Sequence, residues 1–358
     1  MKIGILSMQK ILNYGSFLQA LSLKIQLEKR GHEVYFIDIK PGRRIVTESS
    51  SRTSLLSKFD KYFLKRIENY FFTKKMDAIH KNDYVTFLET SKKIGENEKF
   101  DLVIIGSDEV FNATTPSNWG FSTQLFGEVD NAQKIVTYAA SCGNTTYENA
   151  VQYKIADEIK KAMSNINMLS VRDKNTYMFV KSILGVEPYI NVDPVFLTNF
   201  DTYVPKMDVG KPYLLVYAYN NRIKDPKEIN SINSYARKNG LKVLSVGMHQ
   251  RWCPHNIAAN AFSLLRYVES AKCIVTDTFH GTVFSIKYNK NFAVLIRDSN
   301  SNKLGGLLEQ FSLQNRIVET AEQLENVLNT RIDYKPINKL IAIEQRKASD
   351  YLDAACEV

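Results

Sequence analysis

The sequence predicts an α/β protein made of two Rossmann-like, parallel-sheet domains that face a cleft. Three observations support this prediction. The chain has 358 residues, about twice the length of a typical domain of roughly 150 residues. Short apolar runs alternate with stretches of helical periodicity along most of the chain, and this alternation is typical of parallel sheets. Polar, glycine-containing segments directly follow several of the apolar runs.

The first domain, residues 1–205, begins with a strand, a helix and a second strand. Lys2–Leu6 is apolar, Gly15–Arg30 carries leucines at helical spacing and ends at Gly31, and Glu33–Asp38 is again apolar. Two parallel neighbours require such a crossover helix. Further elements are predicted, in order, at Asp101–Gly106, Lys134–Ala140, Ala150–Met163, Met168–Val171, Tyr177–Leu184 and Tyr189–Val192.

Residues 45–97 interrupt this alternation and are predicted to form a helical insertion. They contain the run KFDKYFLKRIENYFFTKK, in which aromatic residues recur at helical spacing beside lysines and arginines. We expect most of these aromatic side chains to pack inward. The interleaved positive charge leaves a second interpretation open, in which the segment binds a partner or lies on a membrane surface.

The boundary between the first domain and the second, residues 206–335, is predicted within the polar, proline-containing stretch Phe200–Lys211. Residues 336–358 form a last helix, Asn338–Ala355, that we expect to pack back on the first domain. The elements of the second domain are predicted at Tyr213–Tyr219, Lys227–Asn239, Leu241–Val246, Phe262–Ser270, Cys273–Thr276, Thr282–Tyr288, Phe292–Ile296, Leu304–Phe311 and Ala321–Leu328.

Composition narrows the class of protein. Hydrophobic residues make up 44% and charged residues 24%, which is ordinary for a globular chain. The net charge of +9 favours anionic partners. No apolar run approaches the roughly 18 residues of a membrane helix, and the N-terminus lacks a signal-peptide pattern. We therefore expect a cytoplasmic protein, with peripheral contact at the inner face of the membrane left open.

The sequence predicts no metal site. Its four cysteines form no CxxC pair, so neither a zinc site nor a disulfide framework is indicated. There is no HExxH motif, and no DxD follows a predicted strand, where Asp277 and Asp298 stand alone. A nucleophilic role for Cys142 is a minor alternative.

Two segments of the first domain follow strands and carry candidate ligand-binding groups. Asn13, Tyr14, Gly15 and Ser16 join the first strand to its helix, where Asn13 or Ser16 can cap the helix and its backbone N–H groups can meet an anion. A simple turn is the alternative. The segment GSDEVFN, residues 106–112, places Ser107 and a candidate general base, Asp108, after the strand DLVIIG. Asp108 as a helix cap is the alternative there.

Two further segments place cationic or titratable groups after strands. Arg172 follows a strand in SVRD and offers a planar fork to a carboxylate or phosphate, unless it pairs with Asp173 at the surface. His280 lies in CIVTDTFHGT between a strand and a helix, where its imidazole can exchange a proton near neutral pH. A structural histidine is the alternative at this position. The other histidines, which lack such a setting, are interpreted as structural: His32, His80, His249 and His255.

Taken together, these segments resemble the polysaccharide pyruvyl transferase family. The resemblance lies in five stretches that occur in order between positions 3 and 292: IGILSMQKILNYGSFLQALSLKIQLEKRGHEVYFID, DLVIIGSDEVFN, SVRDKNTY, INVDPVFL and IVTDTFHGTVFSIKYNKNF. It implies a fold similar to that of GT-B glycosyltransferases. It also implies transfer of pyruvyl from phosphoenolpyruvate, without a further cofactor, to a hydroxyl pair of a cell-surface polysaccharide or a lipid-linked precursor.

The resemblance also implies roles for individual residues. Asp108 looks like the acceptor-side acid/base, and Arg172 and His280 look like donor-binding groups. The resemblance further implies a structural or cleft-lining Asp-Pro element and additional substrate-binding candidates: Asp193 and Pro194 for the former, and Thr278, Phe279, Gly281, Arg297 and Lys303 for the latter.

Two other functions are compatible with the sequence. A GT-B glycosyltransferase that uses a nucleotide sugar would share the fold and the absence of a DxD site. A non-catalytic protein that binds carbohydrate or nucleic acid would need aromatic side chains beside lysines and arginines on one face. The placement of Asp108, Arg172 and His280 at strand ends favours an enzyme, so no nucleic-acid partner is predicted.

Overall fold

The computed structural model describes residues 1–45, 63–89, 98–115, 117–297 and 300–357. Their contacts divide the chain into two compact units. Of the described residues, the first unit takes 1–45, those from 84 to 198 and those from 339 onward. The second unit takes 63–83 and 199–338.

The sheet of the first unit has six parallel strands in the order β2-β1-β3-β4-β5-β6. The order reverses between β1 and β3, which makes this pair the topological switch point of the sheet. The strands are β1 (Lys2–Leu6), β2 (Glu33–Phe36), β3 (Phe100–Asp108), β4 (Ala132–Ala140), β5 (Ser170–Val171) and β6 (Tyr189–Ile190).

The sheet of the second unit also has six parallel strands, in the order β12-β11-β10-β7-β8-β9. Numbered within the unit, this is the 3-2-1-4-5-6 order of the Rossmann fold, with its switch point between β7 and β10. The strands are β7 (Tyr213–Tyr217), β8 (Lys242–Val246), β9 (His255–Ile257), β10 (Cys273–Thr276), β11 (Asn291–Leu295) and β12 (Ile317–Val318).

Helices connect the strands of both sheets. In chain order, the described α-helices are α1 (Tyr14–Glu28), α2 (Phe63–Phe87), α3 (Tyr147–Gln152), α4 (Ala156–Met163), α5 (Lys174–Leu184), α6 (Pro226–Lys238), α7 (Ala261–Ser270), α8 (Phe279–Lys287), α9 (Ser301–Gln310), α10 (Leu324–Asn329) and α11 (Tyr334–Ala355). No helix of the described segments combines the length and apolar character needed to cross a membrane.

The predicted elements are present, with differences at their ends. The helix expected at Ala150–Met163 is divided into α3 and α4, because Lys154 between them has a positive φ of 56° that breaks the helical backbone. Helix α8 begins three residues earlier than predicted, so that His280 lies inside its first turn. The short edge strands β9 and β12 were not predicted, since runs of two or three residues carry no readable periodicity.

Helix α2 occupies the part of the predicted insertion that the structure describes, whereas residues 46–62 and 90–97 lie outside it. The inward packing expected for its aromatics is wrong for Tyr70 and Phe71, which are 54% and 64% exposed. The buried face is formed instead by Met76, His80 and Asp83. Because lysines and aromatic residues alternate along this helix, its sequence does not show which face is buried.

Each unit has its own apolar core, and the cysteines belong to these interiors. Cys142 is buried in the first unit, and Cys253 and Cys273 in the second, while Cys356 is partly buried. No two of them form a disulfide. Burial raises the pKa of Cys253 to about 11 and that of Cys273 to about 12, and it also raises the pKa of Cys142.

Candidate active site

The switch point of the first unit brings Ser16 and Asp108 together. Asn13 caps α1, because its side-chain Oδ1 accepts from the Ser16 N–H at 2.7 Å. The Ser16 hydroxyl is therefore available to the neighbouring strand and donates to Asp108 Oδ2 at 2.5 Å. Asp108 is the last residue of β3 and keeps 14% of its side-chain surface exposed. A carboxylate that accepts a hydrogen bond at one oxygen and remains partly exposed is suited to act as a general base.

The backbone at Asp108 is unusual. Its φ is +81°, a value that residues other than glycine rarely adopt and that occurs preferentially at functional sites. Two residues earlier, Gly106 has a φ of +129°, and a Cβ there would lie 2.2 Å from the Tyr138 carbonyl oxygen on β4. Only glycine allows this close approach of β3 to β4, so Gly106 fixes the path of the chain into Asp108.

Arg172 lies beside this carboxylate. It follows β5, and its Nη1 donates to Asp193 Oδ2 at 2.9 Å, while its Nη2 is 3.8 Å from Asp108 Oδ1. The side chains of Arg172 and Asp193 are 3% and 0% exposed. Because an isolated buried charge is costly, the buried arginine and Asp193 stabilise each other. Their pairing fixes the guanidinium next to Asp108.

The alternative of an Arg172–Asp173 surface pair is wrong. Asp173 caps α5, where its Oδ1 accepts from the Thr176 N–H at 2.8 Å, and its Oδ2 accepts from the Ser141 hydroxyl at 2.7 Å. Cys142 donates from Sγ to the Thr145 carbonyl at 3.1 Å. Since burial raises its pKa, this thiol stays protonated and is a poor nucleophile.

The remaining predicted residues of the first unit are buried around the switch point. Tyr14 and Gly15 lie in the first turn of α1 and are not exposed. Ser107 is fully buried, and its carbonyl accepts from the Ser7 hydroxyl at 3.0 Å. Gln19 donates to Ser7 Oγ at 3.0 Å and to the Ser16 carbonyl at 2.9 Å. These contacts lock α1 and β3 against each other, which holds Ser16 and Asp108 in register.

In the second unit, His280 lies in the first turn of α8 and is half-buried. Thr278 caps this helix, since its Oγ1 accepts from the Gly281 N–H at 2.9 Å. A Cβ at Gly281 would lie 2.1 Å from Thr276 Oγ1 and 2.7 Å from the Tyr217 ring. The imidazole is in contact with its aromatic neighbour Phe279, at a centroid distance of 5.4 Å. The loop thus requires glycine at 281 to keep His280 at the helix start.

Asp277 and Arg222 form an ion pair across the switch point of the second unit. Asp277 follows β10 and is fully buried, and Arg222 lies in the loop after β7. Arg222 Nε is 3.1 Å from Asp277 Oδ2, and the Tyr219 N–H donates to Asp277 Oδ1 at 3.2 Å. Burial raises the pKa of Asp277 to about 6, an effect that Arg222 opposes. Sequence reasoning missed Arg222, although it follows a strand as Arg172 does.

The other cationic candidates of the second unit are placed differently. Arg297 forms a two-bonded pair with Glu228, at 2.6 Å and 2.8 Å. Its backbone N–H donates to Asn300 Oδ1, and Asn300 Nδ2 donates to the Asp277 carbonyl at 2.6 Å. Lys303 lies on α9 and is half-buried. Asp298 is outside the described residues.

In the described part of the chain, neither a metal cluster nor the cavity beside α6 marks the switch point of the second unit. Among the residues that the structure describes, no three His, Cys, Asp or Glu side chains cluster in a way that could hold a metal ion. A cavity of about 440 Å³ in the second unit is lined by residues of α6, β8 and β9, including Arg237, Lys242 and His255. Because Lys242 and His255 are the first residues of β8 and β9, this cavity is at the amino end of the sheet, away from the switch point.

The structure thus brings together two groups of predicted residues, one in each unit. Asn13, Ser107, Asp108 and Arg172 surround the first switch point, and Thr278, Phe279, His280 and Gly281 follow β10 at the second. The predicted convergence of His280 with Asp108 and Arg172 stays a prediction.

Several known structures resemble the chain at low sequence identity. A candidate UDP-N-acetylglucosamine 2-epimerase from Listeria monocytogenes is 11% identical with a TM-score of 0.52, and the match covers 99% of this chain and 95% of that chain. A Streptomyces sp. SF2575 glycosyltransferase complexed with thymidine diphosphate is 14% identical, with a TM-score of 0.46 and 99% of each chain covered. A Thermobaculum terrenum O-GlcNAc transferase variant is 10% identical, with a TM-score of 0.45. That match covers 98% of this chain but only 64% of that chain, which is longer.

These likenesses concern the fold alone. The two parallel sheets, together with the likeness to the epimerase, confirm the predicted α/β class with two Rossmann-like units. No curated protein matches the chain in sequence. Residues 13–299 match the family described as polysaccharide pyruvyl transferase, a range that includes Asn13, Asp108, Arg172, Arg222 and His280. The chain therefore belongs to the polysaccharide pyruvyl transferase family.

Proposed function

We propose that the protein transfers the pyruvyl group of phosphoenolpyruvate to two hydroxyls of a sugar, in a cell-surface polysaccharide or its precursor, and forms a pyruvate ketal. The observation that carries this proposal is the family match over residues 13–299. Asp108 supports it, since a partly exposed carboxylate held at a switch point is suited to take a proton from a sugar hydroxyl.

The proposed chemistry uses Asp108 as a base and His280 as a group that binds or protonates phosphate. A proton adds to the methylene carbon of phosphoenolpyruvate, which makes the central carbon electrophilic. The first sugar hydroxyl attacks that carbon and loses its proton to Asp108. The C–O bond to phosphate then breaks, inorganic phosphate leaves, and the second hydroxyl closes the ketal with loss of a proton. His280 binds the departing phosphate or gives it a proton, because imidazole exchanges protons near neutral pH.

We assign Arg172 a role different from the one that the resemblance implies. Its guanidinium is almost wholly buried and already meets the carboxylates of Asp193 and Asp108. We therefore propose that Arg172 holds Asp108 in place, rather than binding phosphoenolpyruvate directly. Replacement by lysine, a point charge without a planar fork, should then lower kcat and leave the KM for phosphoenolpyruvate unchanged. A raised KM for phosphoenolpyruvate with an unchanged kcat would show instead that Arg172 binds the donor.

The test of the function is a transfer assay on the full chain. Phosphoenolpyruvate is incubated with a panel of glycosides, and phosphate release and the mass of the glycoside are followed together. We expect phosphate and ketal in equal amounts, and a loss of about 10²- to 10⁴-fold in the His280→Ala variant with an unchanged melting temperature. Near-normal turnover of that variant would remove His280 from the site. Transfer from a nucleotide sugar, with none from phosphoenolpyruvate, would replace the proposed function by glycosyl transfer.

A further inference from the structure

The switch point of the second unit carries an arginine that the sequence motifs do not include. Strands β7 and β10 are parallel neighbours, with Tyr217 paired to Thr276 at their carboxyl ends. Arg222 follows β7 and Asp277 follows β10, so their ion pair bridges the two strand ends at the point where the strand order reverses. In open α/β sheets, ligands bind at this place.

The loop that carries Arg222 is held firmly by a neighbouring segment. The backbone N–H groups of His249 and Arg251 donate to the side chains of Asn220 and Asn221, at 2.6 Å and 3.0 Å. Gln250, which is fully buried, donates to the Ala218 and Tyr219 carbonyls at 3.1 Å and 2.8 Å. A binding residue on a loop so fixed is preorganised, and it loses less conformational freedom when a ligand binds.

The guanidinium of Arg222 is itself oriented from two sides. Asp277 holds Nε, and the carbon of the guanidinium lies 5.2 Å from the centre of the Tyr219 ring. Asp277 is fully buried, whereas Arg222 keeps 25% of its side-chain surface exposed and Tyr219 is 43% exposed. The acid is therefore shielded from a ligand, whereas part of the arginine side chain is exposed to solvent.

Arg297 is less suited to binding an anion, although Asn300 connects its backbone to that of Asp277. Both of its terminal nitrogens are bonded to the Glu228 carboxylate. That geometry uses the fork with which an arginine binds a carboxylate or a phosphate in two-bonded fashion.

We propose that Arg222 is a donor-binding residue that contacts the negatively charged phosphate or carboxylate of the donor, with Asp277 and Tyr219 as its positioning residues. The identity of the donor as phosphoenolpyruvate rests on the proposed function, whereas the requirement for an anion rests on Arg222. Asp277 directly precedes Thr278, the cap of α8, and His280 lies in the first turn of that helix, so the arginine belongs to the same end of the sheet as the donor-side candidates.

The experiment measures binding of anions to the full chain by titration calorimetry, without acceptor so that no turnover occurs. Phosphoenolpyruvate, UDP and inorganic phosphate are titrated separately into the wild type, Arg222→Gln and Arg222→Lys. The control is Arg331→Gln, which removes the same charge from the second unit at an exposed position between α10 and α11. We expect Arg222→Gln to raise Kd for the bound anion by about 10- to 100-fold. Arg222→Lys should raise Kd less, and Arg331→Gln should leave it unchanged.

A second variant guards against a folding defect. Tyr219→Leu changes a largely exposed ring and removes the aromatic face under the guanidinium, so the fold should persist and Kd should rise by about 2- to 10-fold. Unchanged Kd in both Arg222→Gln and Tyr219→Leu would overturn the proposal, as would a wild type that binds none of the three anions. Binding of UDP alone, lost in Arg222→Gln, would support Arg222 and reject pyruvyl transfer. Binding of phosphoenolpyruvate that is unaffected by Arg222→Gln would reject Arg222 and leave pyruvyl transfer in place.

Discussion

The two units place an arginine and an aspartate beside their switch points with opposite exposure. In the first unit the arginine, Arg172, is 3% exposed and the aspartate that it faces, Asp108, is 14% exposed. In the second unit the aspartate, Asp277, is fully buried and the arginine, Arg222, is 25% exposed. One sheet therefore buries a cation beside an accessible acid, and the other buries an acid that holds an accessible cation.

This difference indicates which member of each ion pair can contact a substrate. A buried charge is retained at a cost that its partner only offsets, and the exposed partner is the group that a substrate can reach. By this criterion, we propose that Asp108 acts on the acceptor and Arg222 on the donor. The following predictions test the contrast, beginning with the largest expected effect.

The exposed acid of the first unit should matter for turnover rather than for folding. Asp108→Asn keeps the shape of the side chain and its bond from Ser16, but removes the base, so turnover should fall by about 10²- to 10⁴-fold with little change in melting temperature. Asp350→Asn, at an exposed position on α11, is the control for loss of one carboxylate. Turnover within a few-fold of the wild type would exclude Asp108 as the base.

The buried cation of the first unit should matter for folding. Arg172→Met leaves the Asp193 carboxylate buried without its partner, and breaking a buried pair in this way costs about 3–5 kcal/mol of unfolding free energy. Urea unfolding of the purified variant measures the loss. Arg222→Gln should cost less than Arg172→Met, because Arg222 is partly exposed and the buried Asp277 that it leaves behind, whose pKa burial raises to about 6, can take up a proton. Equal losses in the two variants would contradict the contrast between the units.

The buried acid of the second unit should make stability depend on pH. The pKa of Asp277 is raised from 3.8 to about 6, mainly by burial, so the folded state holds the proton more tightly than the unfolded state. The contribution is fully present below about pH 4 and is lost as pH rises through about 6, to a total of roughly 3 kcal/mol.

Comparison with Asp277→Asn isolates this contribution. The pKa of His80 is lowered to about 4 by burial, so His80 acts in the opposite direction, with stability lost as pH falls from 6.5 toward 4. The difference in unfolding free energy between wild type and Asp277→Asn cancels that effect and should decrease steadily between pH 4 and pH 6. A difference independent of pH would show that Asp277 is not titrating in the folded protein.

The smallest effect concerns a surface of the second unit. Tyr70 and Phe71 are exposed on α2, and Lys74 lies 4.8 Å from the Tyr70 ring centre, a combination suited to an anionic membrane surface. Phe71→Ser should weaken sedimentation with anionic vesicles by about 3- to 10-fold. Val151→Ser, at a half-exposed apolar position of the first unit, should leave it unchanged. Equal sedimentation with neutral and anionic vesicles, or none, would end the proposal that the protein contacts membranes peripherally.

Local patterns were sufficient to predict most of the fold. DLVIIG predicted β3 because a strand buried on both faces is continuously apolar, and leucines at helical spacing predicted α1. The exposure of Tyr70 and Phe71 could not be obtained in this way. A helix in which lysines and aromatics alternate has no single apolar face, so its orientation depends on the surface that it packs against.

The candidate site was predictable residue by residue but not as a set of contacts. Asp108 and His280 follow strands, and this local feature identified them. The Ser16–Asp108 bond joins residues 92 positions apart, and the Arg222–Asp277 pair depends on β7 lying next to β10. Strand order is a property of the whole sheet, so no spacing along the chain reveals which side chains meet at its switch point.

The buried thiols have a practical consequence for measuring the motions of each unit. A thiol reacts as the thiolate, and burial raises the pKa of Cys142, Cys253 and Cys273. Alkylation of these residues in the folded protein should therefore wait for local opening and report its rate. Cys142 belongs to one unit, and Cys253 and Cys273 belong to the other. The alkylation rates of these cysteines, measured by mass spectrometry of the labelled peptides, should therefore give the opening rate of each unit separately, with no probe introduced by mutation.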